Sequence, residues 1–112
     1  MAIITHFTPR KSWETAALTG SYAGDTLYTE GFIHCSTPEQ VIAVANRIAR
    51  NWEDAVLLWI DEDKVGAKIV YENLEGGEML FPHIYGPLNS DAVIGVSPFL
   101  KNENDEYILP SL

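Results

Sequence analysis

The stretch Gly31-Phe32-Ile33-His34-Cys35-Ser36-Thr37 is where a strand pattern turns into a helix pattern. Side chains alternate along an extended strand, so Phe32, His34 and Ser36 share one face and Ile33 and Cys35 the other. The residues Thr37-Pro38-Glu39-Gln40 follow. They combine a hydroxyl cap, a proline at the first helical position and a glutamine three residues after the cap, which is a helix start. A strand end that delivers an imidazole and hydroxyls beside helix N–H groups suits an anionic or sugar-hydroxyl ligand.

Outward from this junction the chain reads in both directions. Val41, Val44, Ala45, Ile48 and Trp52 recur at helical spacing and predict a helix over 38–51. Ala55-Val56-Leu57-Leu58-Trp59-Ile60 is a continuous apolar run, the signature of a strand buried on both faces. Further strands are expected over 68–72, through Phe81-Pro82-His83-Ile84-Tyr85-Gly86-Pro87, and over 92–96. Pro82 and Pro87 bracket the His83 stretch, 61–66 is a charged turn, and a turn or loop is expected over 73–78. Towards the N-terminus, residues 20–30 form an aperiodic loop rich in hydroxyls and tyrosines, with a turn at Gly24-Asp25. Before it, residues 2–7 predict a strand, Thr8 an N-cap, and Pro9 the first position of a helix reaching Leu18. Trp13, Ala16 and Ala17 mark its apolar stripe.

Helices in the first half and strands in the second predict a small α+β domain. Two helices would pack on a mostly antiparallel, split sheet. Residues 1–100 form the domain, and the acidic segment 101–112 is expected to fray or to add an edge strand. At 112 residues the chain has room for one core. Sixteen acids against seven bases give a net charge of −9, which argues against nonspecific nucleic-acid binding. No apolar run approaches the length of a membrane span and no signal-peptide pattern opens the chain, so no membrane partner is expected. The single Cys35 fits a reducing, cytoplasmic setting.

The chain has three histidines. Each stands at a strand end beside hydroxyls: His6 near Thr5 and Thr8, His34 near Ser36 and Thr37, His83 near Tyr85. If these strands are neighbours, the imidazoles converge on one cleft and are available for general acid–base work. No closely spaced His pair occurs, so no metal site and no certain cofactor is expected. Cys35 points away from His34 and reads as a small core residue. Glu72 ends a strand and is the candidate carboxylate.

These blocks carry a family likeness. Thr5-His6-Phe7-Thr8 with Trp13, the Gly31–Thr37 motif, Ile60-Asp61, Glu72 and Phe81-Pro82-His83-Ile84-Tyr85-Gly86-Pro87 resemble, in the same order over residues 3–99, the bacterial family known as domain of unknown function 952. Through that family the chain is distantly similar to the ADP-ribosyltransferase-like fold. The resemblance implies a split α+β sheet around a cleft of NAD type, with NAD as a substrate. It implies catalytic roles for His6, His34, His83 and Glu72, and ligand binding by Thr8, Ser36, Thr37 and Tyr85. His6 with Thr8 would hold a ribose. The alternative expectation is a binding module that keeps the cleft for a nucleotide or small metabolite without catalysing a reaction.

Overall fold

The apolar run Ala55–Asp61 (β4) is the hub of the molecule, and all seven of its residues are buried. A computed structural model, which describes residues 2–24, 26–73 and 79–112, places β4 between Ile3–Pro9 (β1) and Val93–Phe99 (β8). It runs antiparallel to both. Val56, Leu58 and Ile60 enter one core with Ile4, Tyr22, Ile33 and Ile84. Ala55, Leu57 and Trp59 enter a second with Val41, Ala45, Phe99 and Tyr107. A strand that is apolar at every position needs this cover on both faces.

A second sheet holds Ile33–His34 (β3), Phe81–Tyr85 (β6) and Lys68–Glu72 (β5), in the order β3-β6-β5. A third is a two-strand pair of Ser21–Tyr22 (β2) and Leu88–Asn89 (β7). One bridge joins the first two sheets. Thr5 N–H donates to Ser36 O at 2.7 Å and Ser36 N–H to Thr5 O at 2.9 Å. All strand pairings among the described residues are antiparallel. The helices Arg10–Ala17 (α1), Leu27–Glu30 (α2) and Val41–Ile48 (α3) lie in the first half of the chain. The architecture is α+β. Among the described residues no helix is long and apolar enough to cross a membrane.

Several local expectations are corrected. Thr8 does not cap α1. It is a buried strand residue opposite Val56, and Pro9, opposite Ala55, is still extended at φ −58° and ψ 141°. The ladder to β4 holds both residues out of the helix, which begins at Arg10. On α1, Trp13 and Ala16 pack on the first core while Ala17 is exposed. The helix expected over 38–51 is regular only over Val41–Ile48, and Ile48 is exposed. Its start is a hydrogen-bonded turn in which Gln40 Oε1 accepts the Thr37 N–H at 2.9 Å. The Gln40 and Val41 N–H groups go to Thr37 O at 3.0 and 3.1 Å. These three N–H groups are therefore held within the turn.

The loop over 20–30 contains β2 and the single turn α2, closed by Gly31 at φ 89°. The strand with His83 is not at an edge: β6 has β3 on one side and β5 on the other. Pro82 is tolerated there because β3 proper ends at His34, and the Pro82 carbonyl accepts Cys35 N–H at 3.0 Å. The turn expected at Gly24-Asp25 and the loop over 73–78 fall partly outside the described residues, at Asp25 and 74–78.

Candidate functional site

β1, β3 and β6 bring their histidines to a single cleft of about 770 Å³. That volume is in the range of small-molecule sites. His6, Thr8, His34, Ser36, Glu72 and His83 all line it. The Thr5–Ser36 bridge explains the meeting, because it fixes β1 against the end of β3, and the register of β3 on β6 sets His34 directly opposite His83. Tyr85 and Thr37 are not on the lining. Tyr85 touches the site through Glu72, and Thr37 serves the start of α3.

The His6 side is a closed network. His6 Nδ1 lies 2.6 Å from the His34 carbonyl, which only accepts, so Nδ1 carries a proton. His6 Nε2 lies 2.8 Å from Tyr22 Oη, which in turn shares a 2.9 Å hydrogen bond with Thr8 Oγ1. Both ring nitrogens of His6 are thus held by protein atoms. The direct grip on a ribose expected of His6 would require Tyr22 to give way. Sequence reading missed Tyr22; its only signal was an aromatic residue in a polar loop that precedes the His34 strand.

The His83 side is built differently. His83 Nδ1 lies 3.1 Å from Glu72 Oε1, across the β5–β6 pair. Tyr85 Oη donates to the same carboxylate oxygen. These two donors, Tyr85 first, hold the Glu72 carboxyl below the usual range, so the group is ionised at neutral pH. The same contact raises the Tyr85 hydroxyl, which must give up its proton beside a negative charge. Phe32 stacks on the His83 ring at 4.4 Å and 23°. His34 meets the ring edge-on at 5.1 Å and 75°. His34 Nε2 lies 3.2 Å from Glu30 Oε1 on α2. Glu30 and Phe32 were not singled out from the sequence, although Glu30 stands four residues before His34.

The other lining combines Phe7, Ile48 and Trp52 with the guanidinium-bearing Arg47. The cleft lining therefore combines imidazoles and a carboxylate with aromatic rings and a guanidinium, which suits a flat ligand with an anionic part. Cys35 is buried, and burial pushes its thiol well above the ordinary range, which leaves it inert as a nucleophile. Among the described residues no group of three His, Cys, Asp or Glu side chains is placed to hold a metal ion.

A family model described as "Protein of unknown function (DUF952)" matches residues 7–96. The crystal structure of protein CC0527 from Caulobacter crescentus is similar at a TM-score of 0.87 and 28% identity, covering 96% of this chain and 95% of that one. Its solution NMR structure is similar at a TM-score of 0.82 and 28% identity, covering 95% of this chain and 91% of that one. No curated protein matches the chain.

Proposed function

The chain belongs to the DUF952 family of proteins of unknown function, and we propose that its cleft is an enzyme site of the ADP-ribosyltransferase-like type, acting on NAD or a related ribose-phosphate compound. The observation that carries this reading is the convergence of His34, Ser36, His83 and an ionised Glu72 on the lining of a ligand-sized cleft. A glycosidic bond to a nicotinamide breaks with positive charge developing on the ribose carbon, and a fixed carboxylate stabilises that charge. Both protein donors to Glu72 use Oε1, so Oε2 is available to face the ligand. Ser36 lies on the same lining, while Trp52 and Arg47 offer a stacking surface and a cation for a base and a phosphate.

Incubation of the protein with NAD, with nicotinamide release as readout and calorimetry for binding, tests this. Release is expected, and Glu72→Gln should lower its kcat roughly 100-fold or more. Binding without release would favour the non-catalytic module. An absence of both would sink the reading.

A further inference from the structure

We propose that His83 is the general base of this cleft, using Nε2 to take the proton of an oxygen acceptor, either water or an alcohol. The inference rests on the transferase reading and adds the identity of the second substrate's reacting atom. A comparison of the three histidines leads to it. His6 has both nitrogens engaged, by the His34 carbonyl and by Tyr22. His34 is half-exposed and spends Nε2 on Glu30. His83 is 4% exposed, clamped between Phe32 and His34, and lines the cleft. Among the described residues its only hydrogen bond is at Nδ1, to Glu72.

That single contact sets the tautomer. An ionised carboxylate only accepts, so Nδ1 holds a proton, and in the neutral ring the lone pair is then on Nε2. The ring is fixed on its faces and at Nδ1, and the remaining nitrogen is the one able to reach a ligand. The groups that face it are Glu72 from β5, His34 from β3 and Tyr85 from β6 itself. Glu30 of α2 holds the His34 ring, and His6 of β1 reaches the His34 backbone carbonyl. Glu72 is then a positioning residue for His83, and its negative charge offsets the imidazolium that forms. Tyr85 in turn positions Glu72.

The step balances without another reactant. The C1′–N bond of the ribosyl donor breaks and nicotinamide leaves as a neutral base with the bonding pair. The acceptor oxygen forms the new C1′–O bond, and its proton goes to His83 Nε2 and from there to solvent. Nothing is oxidised or reduced.

The test reads the tautomer first. Nitrogen-15 NMR of the folded wild-type protein, recorded on the neutral form of the ring, should show His83 protonated at Nδ1. Glu72→Ala should lose that preference, and Tyr85→Phe should keep it. A wild-type His83 protonated at Nε2 would overturn the assignment whether or not NAD is cleaved. Where NAD is cleaved, His83→Gln should reduce kcat roughly 100-fold or more while leaving NAD affinity within a few-fold. An unchanged kcat in a variant that circular dichroism shows to be folded would also overturn it. Uncleaved NAD with His83 protonated at Nδ1 would remove NAD as the substrate and still support the base.

Discussion

Glu72 draws its role from two neighbours on the adjoining strand, Tyr85 Oη and His83 Nδ1, and both bind its ionised form. Its carboxyl is lowered by Tyr85 first and His83 second. A group whose folded pKa lies below its unfolded value contributes stability above the unfolded value and loses it as pH falls through the folded one. The clamp on His83 should therefore survive acidification past the ordinary Glu range, near pH 4.3. Carbon-13 NMR of the Glu72 carboxyl should place its midpoint below that value, and Tyr85→Phe should move it upward. A Tyr85→Phe midpoint equal to wild type would mean that the phenol does not hold the carboxylate. The same residue-scale view separates what the sequence disclosed from what it withheld. The histidines were legible because the chain has three and each stands at a strand end beside hydroxyls, whereas Glu72 was one acid among sixteen, marked by its place at the end of a strand. Tyr22 was not legible, because nothing local to the loop over 20–30 says that its hydroxyl will lie between His6 and Thr8.

At the scale of elements, period was read well, and caps and boundaries less well. The apolar run of β4 and the alternation in β6 follow from side-chain periodicity alone. The end of β1 does not, since Thr8-Pro9 is an equally good helix start until β4 pairs with it. The beginning of α3 depends on Gln40, whose side chain accepts from Thr37 N–H at 2.9 Å and donates to Leu80 O at 2.9 Å. One residue thus closes the turn that leads into the helix and ties it to the approach to β6. Gln40→Ala removes both contacts and leaves polar groups near a buried position, which should cost about 1–3 kcal/mol. Urea unfolding at constant m-value measures it. A cost within error of zero would show that water replaces both bonds.

At the scale of the molecule, the cleft lies where two sheets meet through one bridge, and α3 contributes Arg47 and Ile48 to its lining. The position of α3 is fixed from outside the cleft by the segment after β8. Lys101 Nζ donates to the Arg50 and Trp52 carbonyls at 2.6 and 2.7 Å, beyond the end of the helix. Tyr107 is buried, stacks on Phe99 at 4.4 Å, donates its hydroxyl to Ala49 O at 2.8 Å and its N–H to Asn46 Oδ1 at 2.7 Å. The acidic composition of 101–112 hid this anchor, because only a few positions there are apolar and their partners are some fifty to sixty residues away in sequence. Tyr107→Ala should cost about 3–5 kcal/mol, the range for removing a large buried aromatic. Tyr107→Phe keeps the ring and forfeits chiefly the bond to Ala49, so about 1–2 kcal/mol is expected. The pH dependence carries a defined sign. Burial first, and Asp105 second, raise the Tyr107 hydroxyl above its ordinary value. A raised folded pKa contributes stability that is complete below the unfolded value, near pH 10, and is lost as pH rises through the folded one. Wild-type protein should lose this increment on going from pH 9 into the range above 10, and Tyr107→Phe should not. Equal alkaline losses in the two proteins would show that the phenol ionises without disturbing the anchor.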